Sequence, residues 1–279
     1  MSGVETEPAT AESRRAPMSI CTLGDLILDV VVLPDRPLLP DGDTPAAIHL
    51  AAGGQAANVA AWASALGASS RLICARGSDG AGELAAAQLA AHGVEIGGPV
   101  IEGRGGVVVS VRSAEGERTM ASDRGVAAML EASDLERSWL TSCDVLHVSG
   151  YCLLREPMAD AAVAAARLAR RVTVDLASAH DIELLGAGAF AQRLDALAPD
   201  LAFATEAERA AVPHFDTSWV IKLGARGARF PEGEFPAPDV AVLDTTGAGD
   251  ALAAGYLVGG PQLALDAAAR CVGLVGAMP

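Results

Sequence analysis

At 279 residues, with 51% of them hydrophobic and only 4% aromatic, the chain can bury a sizeable core and fits one large α/β domain better than two full ones. Its formal charge of -15 argues against a nucleic-acid surface or an anionic membrane as partner, and no apolar run reaches the roughly 20 residues that span a bilayer. Five scattered cysteines without a CxxC pair, and five dispersed histidines without HxH or HExxH spacing, argue against a histidine-built metal site and predict a reducing, cytoplasmic setting.

The first 17 residues (MSGVETEPATAESRRAP) are polar, contain two prolines and lack the apolar core of a signal peptide, so a disordered tail is expected over 1–17 and a single domain over 18–279. Met18 is a candidate second start. From there, SICTLG, RLICARG, DVLHVSG, RVTVDLA, DLAFAT and SWVIKLG read as buried central strands. Between them GQAANVAAWASALG, GAGELAAAQLAAHG, REPMADAAVAAARLAR and AHDIELLGAGAFAQRLDALA have helical composition, and the first two end at the capping glycines Gly67 and Gly93. Alternation of this kind predicts a mainly parallel sheet between two helical layers. Four short runs interrupt it: LDVVVLP, AAIHLA, GGVVVSVRS and ERTMASD, the last two joined by the turn SAEGE. They predict a small second sheet, drawn from about 28–51 and 105–123, that stands off the main one and covers ligands at the strand ends.

The chemistry-bearing residues fall where strands end. Asp244-Thr245-Thr246-Gly247-Ala248-Gly249-Asp250 is followed at once by a helix-favouring run. Two glycines around a small residue leave backbone N–H groups uncovered, and the helix that starts there adds the positive end of its dipole, a combination that holds a polyanion. Asp250 would stand beside that anion, able to take a proton from an attacking hydroxyl or, on the plainer reading, to cap the helix. Asp25 and Asp29 are two carboxylates in one apolar run, where an unpaired burial is costly, so they call for solvent, a cation or a polyhydroxyl ligand. Gly53-Gly54 ahead of a helix allow close backbone approach, and Asn58 offers a donor and an acceptor to hydroxyls. The turn Lys222-Leu223-Gly224-Ala225-Arg226-Gly227, which holds the only lysine of the chain, can line nucleotide phosphates or be a plain hairpin. Thr205 and Glu208 have capping-box spacing, and Glu208 can also hold Mg²⁺ through water.

In order and spacing these stretches resemble the ribokinase-like (PfkB) family of carbohydrate and nucleoside kinases, from about Ile20 to the C-terminus. DTTGAGDALAAGYL carries the likeness most strongly, and GGQAAN stands in place of a GGxxxN pattern. The resemblance implies a three-layer α/β/α sandwich with a small β-sheet lid that also serves in homodimerisation. It further implies ATP as phosphate donor with Mg²⁺, and a sugar or a nucleoside as acceptor. By residue, it gives Asp250 the role of catalytic base and the backbone of Gly247, Ala248 and Gly249 that of anion hole. Asp25, Asp29, Gly53, Gly54 and Asn58 would contact the acceptor, while Thr205, Lys222, Gly224, Arg226, Gly227 and Thr245 would line the nucleotide. Glu208 would hold Mg²⁺, and Asp244 and Thr246 match positions that bind K⁺ in some members. One departure is the NxxE motif of the family, where Thr205 replaces the amide; another is Leu252, where an aromatic residue often stands.

Other readings find less support in the residues. A P-loop would need GxxxxGK[ST], which is absent, and the GxGxxA match at 186–191 lies inside a helical run instead of following a strand. A non-catalytic sugar sensor would not need Asp250. Arg104, Arg112 and Arg118 fall in the expected lid and are read as a solvated face, with a phosphorylated substrate as the other possibility. The scarcity of aromatic side chains for stacking a purine favours a sugar over a nucleoside.

Overall fold

The computed structural model of the protein describes residues 16–112, 118–176 and 178–279; the turn SAEGE and all but the last two residues of the expected tail lie outside them. Among the described residues the main sheet has nine strands. Its order is Gly233–Phe235, Ala228–Phe230, Ser218–Lys222, Leu201–Thr205, Val172–Asp175, Val145–Ser149, Ser19–Leu23, Ser69–Ile73 and Glu95–Gly97. The seven strands from Ser218–Lys222 onward are parallel, and the first two form an antiparallel edge hairpin.

Parallel strands are covered on both faces, which is why the central runs are buried at almost every position, with Thr22, His147 and Thr173 enclosed among apolar neighbours. Neighbouring side chains of one strand enter opposite cores. Ile20 joins Val59, Trp62, Val145, Phe203, Val220 and Leu252 beneath helices Gln55–Ala65 and Ala248–Val272. Cys21 and Leu23 join Leu146, Val148, Val174, Phe190 and Leu194 beneath helices Met158–Ala166 and Ala187–Leu197. A third cluster of Leu26, Leu28, Ala56, Ala60, Leu72 and Leu89 fastens the root of the lid to the main layer.

The lid is a four-stranded sheet ordered Ala46–Gly53, Ile27–Pro34, Gly106–Arg112 and Arg118–Asp123, with a parallel pair at its centre. Two expected elements are divided. RLICARG breaks after Ile73, and Arg76–Gly77 pairs with Val100–Ile101 in a separate two-stranded sheet. The helical run after residue 178 splits at Gly186, whose φ of 97° ends Ala179–Leu185 and starts Ala187–Leu197.

Candidate active site

Four parallel strands end in polar residues on one side of the sheet: Ser149, Asp175, Thr205 and Lys222. Two helix N-termini, at Gly54 and Gly247, converge on the same side, and the lid closes over them. Between them lies a cavity of about 240 Å³, with Asp29, Gly54, Gln55, Asn58, Tyr151, Asp244, Thr246, Gly247 and Asp250 in its wall.

The GAGD turn is locked from below. Gly247 has a left-handed φ of 76°, and a Cβ there would come within 2.6 Å of Ala277, so only glycine fits. Ala277 is held in turn by Trp62, fully buried, whose Nε1–H donates to the Ala277 carbonyl at 2.8 Å. Asp244 accepts from the N–H and hydroxyl of Thr246 at 2.9 and 2.7 Å and from the Gly276 N–H at 3.2 Å. Its other partner is Arg112 of the lid, 3.0 Å away, which also donates to the Leu243 carbonyl at 3.1 Å. A guanidinium thus lies beside Asp244, where K⁺ was expected. Burial works against the Asp244 charge, but Thr246, Gly276 and Arg112 outweigh it and hold the carboxyl below its usual range.

Asp250 sits in the first turn of the helix that begins at Ala248. Its Oδ2 accepts from Asn58 Nδ2 at 2.7 Å, while the Asn58 Oδ1 is buried without a partner. Burial pushes the Asp250 carboxyl up to about 6, against the Asn58 hydrogen bond and the charge of Lys222, with Glu208 adding to the rise. A base of that pKa is mostly ionised at neutral pH and still accepts a proton readily.

Lys222 does more than turn a hairpin. Its ammonium donates to both oxygens of the buried Asp175, at 2.6 and 2.9 Å, and a Cβ on Gly249 would lie 3.1 Å from Nζ. The single lysine is therefore tucked against the Gly247-Ala248-Gly249 turn. Burial lowers its pKa, but the charges of Asp175, Glu208 and Asp250 more than reverse that, so it stays protonated; burial pushes Asp175 upward.

On the acceptor side, Asp29 lies so close to Gly53 that a Cβ there would meet its Oδ2 at 2.1 Å. Asp25 is placed elsewhere. It is buried, is absent from the cavity wall, and contacts the guanidinium of Arg124, which stacks on the Tyr151 ring at 4.5 Å. Burying a carboxylate at the end of a strand demands a cation, and Arg124 is that cation.

Thr205 and Glu208 form a reciprocal capping box: Thr205 N–H donates to Glu208 Oε2 at 2.8 Å and Glu208 N–H to Thr205 Oγ1 at 3.2 Å. Glu208 still acts electrostatically on Asp250, Asp175 and Lys222. Among the described residues no cluster of three acidic, histidine or cysteine side chains gathers to cage a metal. One half-buried carboxylate suits Mg²⁺, which keeps several waters and takes its other ligands from phosphates. Arg226 is exposed and contacts Glu206; Gly224 and Gly227 take left-handed φ values of 61° and 103° in the turn that follows Lys222. Thr245 lies in the same loop as Asp244. Neither Lys222, Arg226, Gly224, Gly227, Thr245, Thr205 nor Glu208 lines the cavity that holds Asp29 and Asp250.

Several residues of the site gave no motif signal. Arg112, Arg124 and Tyr151 reach it through the lid and a short 3-10 turn, and Gln55 accepts from Ser149 at 2.6 Å. Asp175 had one detectable signal, a lone carboxylate closing an apolar strand.

This geometry can hold a polyanion at a rigid helix N-terminus against a hydroxyl with a carboxylate base beside it, the arrangement of an enzyme that phosphorylates alcohols. Comparison with known proteins agrees. The pfkB family carbohydrate kinase profile matches residues 18–271, and the chain belongs to that family, whose members are phosphotransferases with an alcohol group as acceptor. It is 30% identical over 276 residues to the ATP-dependent ribose-1-phosphate kinase of Halopiger xanaduensis, covering 90% of each chain. A probable sugar kinase of Rhizobium etli has the same fold, with a TM-score of 0.83 at 21% identity over 95% of this chain and 96% of that one. So does a putative ribokinase II of E. coli solved with ATP and Mg²⁺, with a TM-score of 0.76 at 20% identity over 94% of each. The architecture is thus ribokinase-like.

Proposed function

We propose that this enzyme transfers the γ-phosphate of ATP to a hydroxyl of a sugar. The observation that carries this is Asp250: a buried carboxylate with a pKa of about 6, at the N-terminus of a helix, in one cavity wall with Asp29 and Asn58. Asn58 holds the Asp250 carboxylate in place, and its unpartnered Oδ1 accepts a hydroxyl of the acceptor. Asp250 takes the proton of the attacking hydroxyl. The N–H groups of Gly247, Ala248 and Gly249 receive the transferring phosphoryl group, and Lys222 adds positive charge behind that turn. When bound, Mg²⁺ neutralises charge on the phosphates; Glu208 would hold it through water. The nucleotide would lie along Thr205, Lys222, Gly224, Arg226, Gly227 and Thr245.

A sugar is favoured over a nucleoside because the aromatic side chain in the acceptor wall, Tyr151, has a face already covered by Arg124. Arg112 supplies positive charge at Asp244, so K⁺ is not needed there. We further read the lid as a homodimer contact, on the strength of Ile48 and Leu50, which are 61% and 49% exposed on the face of the lid opposite Asp29 and Val31. The five cysteines, all buried and free, suit the cytoplasm.

The decisive experiment is ADP release from ATP with a panel of sugars and nucleosides, for wild type and Asp250→Asn. Turnover that survives in Asp250→Asn refutes the base; tight binding of a sugar without ADP formation would instead mark a sensor.

A further inference from the structure

The acceptor cavity continues into a second, larger one. Met120, Arg124 and Tyr151 line both, and the second has a volume of about 1000 Å³. Its wall carries Arg104, Arg124, Arg155 and His180 against Asp123 and Asp181. For a chain of net charge -15 this is a marked local reversal.

The arginines differ in how they are held. Arg104 is exposed and pairs with Asp123 at 3.2 Å, a solvated contact of little consequence. Arg124 is fixed: the buried Asp25 contacts it, the Tyr151 ring lies under it, and little of it remains in solvent. A planar guanidinium gripped in this way keeps further N–H donors for a third partner in the cavity. Arg155 has no ion pair among the described residues and is close enough to oppose the charge of Arg124. Asp181 offsets part of the Arg124 charge from the same wall. Two like charges facing one hollow are unfavourable until an anion comes between them. A phosphate monoester has the charge and the oxygens to accept from both guanidinium groups.

We propose that the acceptor is a phosphorylated sugar, its hydroxyls in the smaller cavity beside Asp29, Asn58 and Asp250, its phosphate in the larger one between Arg124 and Arg155. This rests on the kinase reading above and names the substrate class of that site.

The test measures ADP release for pairs of acceptors, a panel of pentose and hexose monophosphates that includes ribose 1-phosphate, each beside the same sugar without phosphate. The phosphorylated member is expected to have a kcat/KM at least about tenfold higher. Arg155→Ala should raise KM for the phosphorylated sugar about 10- to 100-fold with a smaller change in kcat, and Arg155→Lys should recover part of the loss. A general folding defect would lower both members of a pair alike. Equal or better turnover of the unphosphorylated sugars, or an unmoved KM in Arg155→Ala, overturns the proposal and leaves the kinase reading standing. Calorimetric titration of the same sugar phosphates into Asp250→Asn separates the two readings. Binding that Arg155→Ala weakens, in a protein whose wild type forms no ADP, supports the phosphate pocket and counts against the kinase; absence of binding overturns the pocket.

Discussion

The two walls of the cavity that holds Asp29 and Asp250 are built in opposite ways. On one side is main chain: a glycine turn with a left-handed residue, wedged against Ala277, tied through Asp244 to Gly276, and backed by a buried lysine. Asp250, Asp244 and Thr246 are among the side chains it brings to the cavity. The other wall is a single-layer sheet whose side chains do the contacting, Asp29, Val31, Val108, Ser110, Arg112 and Met120 among them, while Ile48 and Leu50 remain exposed. Phosphoryl transfer to any alcohol makes the same demands on the anion hole and base, so that wall can be rigid and made of backbone. On the proposed reading choice of acceptor is a matter of side chains, those of the thinner sheet together with Arg124 and Arg155 beyond it.

The sharpest way to break this contrast is Asp250→Asn, which should lower kcat by about 10²- to 10⁴-fold with acceptor binding largely kept, as measured by initial rates and titration. The same change should stabilise the fold. Burial raises the Asp250 pKa from the ordinary 3.8 to about 6 in the folded protein, so its ionisation opposes folding, beginning above pH 3.8 and fully above about 6. Thermal melts should show Asp250→Asn gaining stability at pH 7 to 8 and gaining little at pH 4. Equal gains at both pH values would mean that Asp250 is not strained by burial.

Lys222→Met attacks the same wall from behind. It leaves Asp175 buried without its cation, and a loss of roughly 3–5 kcal/mol in denaturant unfolding is expected, less where Asp175 takes up a proton. Because Lys222 also lowers the Asp250 pKa, the acid limb of the pH–rate profile should move upward in the variant. A double change that adds Asp175→Asn should restore stability without restoring the limb. In the wild type that limb, read from kcat/KM, should fall about tenfold per unit below pH 6 as Asp250 is protonated. A flat profile between pH 5 and 7 would exclude Asp250 as the base.

The two walls also differ in how far they could be read in advance. The layered sheet, the lid strands and the GAGD turn announce themselves through local pattern: continuous apolar runs, short runs without helices between them, and glycines ahead of a helix. Asp29, Asn58 and Asp250 were legible for the same reason. What stayed hidden depends on contacts between distant parts of the chain. Asp25 and Asp29 look alike four residues apart, but they part company because Asp25 is buried against Arg124, about 100 residues on, while Asp29 lies in the cavity wall. Lys222 reads as part of a turn until Asp175, on another strand, draws its ammonium toward Gly249. Arg112 gives no sign that it will cross from the lid to Asp244 and to Leu243, which is 131 residues away in sequence.

That crossing makes Arg112 a place where the two walls are joined, and it sets the smallest of the expected effects. Asp244 keeps its hydrogen bonds to Thr246 and Gly276 without the arginine, so the anion-hole turn should hold its shape in Arg112→Ala. What is lost is the ion pair and the hydrogen bond to the Leu243 carbonyl, partly exposed interactions that together hold the lid edge over the cavity. The acceptor KM should therefore rise several-fold, up to about tenfold, with kcat changed less and thermal stability nearly unchanged. Loss of the guanidinium also uncovers the Asp244 carboxylate to other cations. Added K⁺ should then recover part of the lost kcat/KM in Arg112→Ala and leave the wild type unmoved, and a wild type that needs K⁺ would show that the guanidinium is not the charge Asp244 depends on.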